Sequence, residues 1–125
     1  MLTKEQILNA DDLPRKLVQV PEWGGDVWVK TMTGAERDAW EASLMEDREV
    51  NAENIRARLC VRSIVDEAGR RVFADEDADK LGGKSARALD RIFSVAQRLN
   101  GVSAQDLDEI AKNSERARAA DSLSD

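Results

Sequence analysis

Gly82-Gly83-Lys84-Ser85 comes closest to a chemistry-bearing motif in this chain, because it resembles the end of a phosphate-binding loop with a helix behind it. The full motif needs an earlier glycine where Ala78 stands and a buried strand in front, and the sequence offers neither. Asp75, Asp77 and Asp79 stand where a phosphate needs amides and positive charge. A turn between two helices is the stronger reading, and an enzyme using Lys84 and Ser85 on a nucleotide is kept only for contrast. Asp75-Glu76-Asp77-Ala78-Asp79 has the alternating carboxylates of a calcium loop. Lys80, however, replaces the glycine of its sharp turn, and Ala86 replaces its bidentate glutamate. Acidic groups ahead of a helix complement its dipole without a metal. The chain has no His, so the usual general base and commonest zinc ligand are both missing. Asp106 and Glu109 share a helical face, as carboxylates do on most solvated helices. Cys60, between Leu59 and Val61, reads as a small buried hydrophobe rather than a reactive thiol. No catalytic, cofactor-binding or metal-binding residue is assigned, and the chain is read as a non-enzyme.

Three tryptophans without a tyrosine carry more information. Trp40 heads a helical stripe with Leu44 and is expected in the core. Trp28 lies mid-strand and is expected to pack under a helix. Trp23 sits at a turn beside Gly24 and Gly25, either folded back on Pro21 or presented to a partner. Pro21, Glu22, Trp23, Gly24 and Trp28 are the candidate partner-binding residues.

These residues must be positioned by a chain of 125 residues, of which 42% are hydrophobic, 35% charged and only 4% aromatic. Many of the hydrophobic residues are Ala, so one modest core is expected and a second is excluded. The net charge of −6 is divided evenly between the halves. No basic run stands clear of acidic neighbours, which argues against nucleic acid and anionic membrane as partners. The first 30 residues lack an apolar signal segment, no stretch approaches a membrane span, and a cytosolic location follows as the expectation.

The pattern is α+β, mostly α: one N-terminal β-hairpin packed on a bundle of about four to five helices. Thr3-Lys4-Glu5-Gln6 has capping-box spacing and opens a short helix within an N-terminal arm, residues 1–14. Leu17-Val18-Gln19-Val20 and Val27-Trp28-Val29, joined across Pro21 and Gly24, make a hairpin over residues 16–30. Val18 and Val20 point one way, and Val27 and Val29 share a face with Trp28 on the other. Thr33 to Glu36 is a second capping box. Asn51 is a candidate cap for a third helix carrying Ile55, Leu59, Cys60, Val61 and Ile64. Asp66 to Gly69 ends that helix, and Arg71 to Phe73 reads as an extended link. Asp75 could cap a single turn reaching Leu81. Ser85 starts the clearest helix, in which Leu89, Ile92, Phe93, Ala96 and Leu99 form a buried face closed by Gly101. Ser103 caps a last helix with Leu107, Ile110 and Ala111 facing inward. Residues 15–111 thus form a single domain, followed by a polar tail, residues 112–125, expected to fray.

The run from Val20 to Lys30, with Met32-Thr33-Gly34-Ala35-Glu36-Arg37 after it, is similar to the start of phage tail assembly chaperones of long-tailed phages and prophages. The resemblance continues through Arg56-Ala57-Arg58-Leu59, Val65 to Gly69, Phe73, Asp77, Leu81, Leu99 to Ser103 and Lys112-Asn113-Ser114, covering residues 13–115. It implies a protein that binds the tape measure protein while the tail tube protein polymerises around it. Such a protein works in the host cytoplasm, is absent from the finished virion, and is often also made in a longer, frameshifted form. Small head–tail connectors and minor tail subunits share the hairpin-plus-helices outline, so a structural subunit of the virion is the alternative. Self-association is compatible with the sequence, which sets no copy number.

Overall fold

A computed structural model describes residues 1–46, 49–50, 54–103, 105–106 and 109. Thr3 caps helix α1 (Lys4–Leu8): its hydroxyl accepts from Gln6 N, and the Gln6 side chain accepts from Thr3 N. None of the residues of α1 is buried. Strands β1 (Arg15–Val20) and β2 (Gly25–Lys30) follow, joined by a 3-10 turn, Pro21–Trp23. Gly24 leaves that turn at φ 72°, a left-handed conformation that glycine adopts without strain. The strands pair antiparallel from Arg15 opposite Lys30 to Val20 opposite Gly25. Period-two alternation then turns Val18, Val20 and Val29 inward, where all three are buried. The hairpin expected over residues 16–30 is therefore present, one residue longer at its start.

Thr33 closes the second capping box with Glu36 and opens α2 (Gly34–Ser43), whose Trp40 is 1% exposed. Two very short strands, β3 (Met45–Glu46) and β4 (Glu49–Val50), pair with each other after α2. Asn51, the expected cap of the next helix, lies outside the described residues. The residue that precedes α3 (Ile55–Ser63) is Asn54, at φ 55° and without a side-chain cap bond. Its amide instead donates to Asp79 at 3.0 Å.

Ile64 was expected to widen the stripe of that helix. It belongs instead, with Val65, to a third strand, β5 (Ile64–Val65), which pairs antiparallel with Trp28 and Val29 of β2. The sheet order is β1-β2-β5. The segment read as an extended link closes β5 from its other side: Val65 bridges Arg71, and Val72 N donates to Ile64 O. A two-residue strand has no alternation of its own to read. Asp75 caps nothing. It opens a 3-10 turn, Asp75–Asp77, in which the Asp77 carboxylate accepts from Ala74 N, and α4 (Ala78–Gly82) continues directly.

Ser85 caps α5 (Ala86–Asn100), accepting from Ala88 N, and Gly101 ends it at φ 65°. Leu89, Ile92, Phe93 and Ala96 are buried and Leu99 is partly so, as their spacing predicts. They meet Leu59, Cys60 and Val61 of α3 and the valines of the sheet in one core. Ser103 and Asp106 exchange backbone-to-side-chain bonds at 3.0 Å in the capping pattern. Leu107, Ile110 and Ala111, together with residues 112–125, lie outside the described residues. The architecture is thus α+β, mostly α: an antiparallel sheet whose first two strands are the N-terminal hairpin, with five α-helices among the described residues.

Candidate functional site

Pro21, Glu22, Trp23 and Gly24 occupy the turn between β1 and β2, and a long-range contact holds that turn against the helical layer. Arg91 on α5 donates from Nε to Glu22 Oε1 at 2.8 Å and from Nη2 to Oε2 at 3.0 Å, a bidentate fork. That hydrogen bond from Arg91 is the main reason the Glu22 carboxyl sits below its ordinary value of 4.5. Trp23 is partly buried and packs against the core, whereas Pro21, Glu22 and Gly24 are exposed. The indole is therefore seated, with part of its surface still accessible at the turn.

Trp28 departs from expectation. It stands opposite Leu17, which is 45% exposed, and so shares the sheet face turned away from the core. No helix covers it among the described residues. Arg15 does so, its guanidinium 4.2 Å from the ring centroid and Nη1 donating to Glu67 O at 2.9 Å. The reason is register: with Val18, Val20 and Val29 inward, Trp28 must point outward. The five candidate residues thus divide between a turn anchored to α5 and an outer sheet face shielded by arginine.

The other sequence candidates have local structural partners. The Asp75 carboxylate accepts from Arg62 at 2.8 Å and from Arg71 at 2.7 Å. Burial works to raise its pKa, yet the Arg71 bond and the Arg62 charge outweigh it and hold the group below 3.8. Asp77 is engaged by Ala74 N, and Asp79 by Asn54. The alternating carboxylates of the calcium-like run therefore face separate partners. Gly82 ends α4 and Ser85 caps α5, so the phosphate-loop-like run joins two helices. Burial, with the nearby Asp90 charge, pushes the Cys60 thiol up to about 12. Arg62, whose side chain is 9% exposed, could not be singled out from the sequence, because an arginine on a helix gives no sign of burial when its carboxylate lies on a distant turn.

A feature the sequence did not single out is the apolar surface left on the N-terminal arm. Leu2, Ile7 and Leu8 are more than half exposed and Leu13 is 40% exposed. No helix among the described residues is long and apolar enough to cross a membrane.

Against this geometry, the family model for phage tail assembly chaperones matches residues 3–113. The chain belongs to that family. The match spans the arm, the hairpin and every helix described above. No curated protein and no solved structure matches the chain significantly. For a tail assembly chaperone the relevant surfaces are those that can meet another polypeptide, and the arm, the turn and the outer sheet face are among the exposed apolar ones.

Proposed function

We propose that this tail assembly chaperone acts without catalysis. It binds the tape measure protein and shields its apolar stretches while the tail tube protein assembles around it in the host cytoplasm, and it leaves before the virion is complete. The family match over residues 3–113 carries this reading. Its support in the structure is the set of apolar side chains left uncovered on a folded chain of net charge −6: such groups can cover a client while the charge opposes self-aggregation. The accessible part of Trp23, with Pro21, Glu22, Gly24 and the Leu17–Trp28 surface, supplies the client contact.

Co-expression with the tape measure protein tests the reading: the client should become soluble and co-purify. Trp23→Ala should weaken that rescue while the chain retains its far-UV circular dichroism. Unchanged client solubility, or stoichiometric amounts of the chain in purified virions by mass spectrometry, would overturn the proposal in favour of a structural subunit. If the variant unfolds, Trp23 is a packing residue and the client contact lies elsewhere.

A further inference from the structure

The sheet has one closed edge and one open edge. β5 is closed by the Arg71–Val72 segment, whereas no strand pairs with the outer side of β1 among the described residues. The ladder shows which groups β1 leaves unused. Thr31 N donates to Pro14 O at 3.0 Å, which sets the phase of the alternation, so Lys16, Val18 and Val20 exchange bonds with β2. The N–H and C=O of Arg15, Leu17 and Gln19 therefore point away from the sheet. All three residues are exposed. The six residues of β1 carry no bulge and no proline, two of the devices that blunt an edge.

The helix beside this edge presents a row of exposed cations. α3 runs directly into β5 and flanks α5 through the Cys60–Leu89 contact and the Arg56–Asp90 ion pair, so α5 lies on the β1 side of the helical layer. The Glu22–Arg91 pair at one end, and the 2.7 Å bond from Met32 N to Asn100 Oδ1 at the other, set α5 antiparallel to β1. Arg87, Arg91, Ser94 and Arg98 are exposed along one stripe of α5, turned away from α3. Arg91 is engaged by Glu22, but Arg87, Arg98 and Lys16 form no ion pair among the described residues.

We propose that the open edge of β1 receives an extended acidic segment of a partner protein as a fourth strand. Its backbone pairs with Arg15, Leu17 and Gln19. Carboxylates on the face beneath α5 meet Lys16, Arg87 and Arg98, and β-branched side chains on the other face continue the Leu17–Trp28 surface. A second copy of this chain is the poorer occupant. Pairing β1 with itself would place the Lys16 ammonium groups of two copies along one seam. It would also bring two arginine stripes together.

The test uses the full-length chain and a fluorescein-labelled, capped heptapeptide of alternating Glu and Val, with a Lys–Val peptide as control. The Glu–Val peptide should bind in an anisotropy titration, more weakly as salt is raised, and should slow amide exchange at Arg15, Leu17 and Gln19. Gln19→Pro removes an outward N–H but no bond to β2, and should weaken binding about tenfold at unchanged melting temperature. Arg98→Glu should weaken it comparably, which keeps the test decisive if the proline variant does not fold. Absence of binding, equal binding of the Lys–Val peptide, or no protection at the three amides would overturn the proposal. So would a dimer of the chain alone with those amides already protected, since a second copy would then own the edge.

Discussion

Asp75 is the residue at which charge most clearly joins distant parts of the chain, since it accepts from both Arg62 and Arg71. Arg62 is almost fully covered, so losing its carboxylate leaves a buried cation poorly compensated. Asp75 itself is half exposed, and water returns part of the loss. Asp75→Asn should therefore destabilise by about 1–2 kcal/mol in urea unfolding at pH 7. The folded-state pKa lies below the ordinary 3.8, so this contribution is fully present above that value and fades as the pH falls through the folded-state value. Wild type and Asp75→Asn should thus converge in acid, and a gap that persisted or widened there would assign the effect to shape rather than charge. Burial of Cys60 and Trp40 was legible from their neighbours. The Arg62–Asp75 pair was not, because the partners belong to different elements and no local spacing links them.

Among the elements, the capping boxes show how a local signal can be right and yet differ in consequence. Thr3 and Thr33 both close the reciprocal bonds their spacing predicts. α2 buries Trp40 in the core, whereas α1 buries nothing. Thr33→Ala should therefore lower global stability by about 1 kcal/mol. Thr3→Ala should leave the cooperative unfolding transition in place and lose only the short helix, visible in the Gln6 and Ile7 amide signals. Equal losses from both variants would mean that α1 is coupled to the core. The hairpin was legible because alternation, turn residues and register agree over six residues on each side. β5 was not, because Ile64 extends a helical stripe on paper, and it forms a strand with Val65 only by pairing with Trp28 and Val29. The same register accounts for Trp28, whose outward direction follows from the valines beside it rather than from its own hydrophobicity.

At the scale of the whole molecule, the core closes without the N-terminal arm. Its large apolar residues Leu2, Ile7 and Leu8 stay exposed while the hairpin and α2–α5 bury their own. The tertiary tie at the arm's end is the Pro14 carbonyl, which accepts from Thr31 N and Thr31 Oγ1. Removing residues 2–12 keeps that tie, and surface losses of this kind change stability by about 0.5 kcal/mol or less. The melting temperature of the shortened chain should match that of the full chain. If the arm contributes to covering the client, the truncation should nevertheless reduce the yield of soluble tape measure protein on co-expression. The two readouts separate the ways of being wrong. A large fall in melting temperature would show that the arm belongs to the fold. An unchanged melting temperature with undiminished rescue would confine client binding to the hairpin side, where the Trp23 turn and the β1 edge remain.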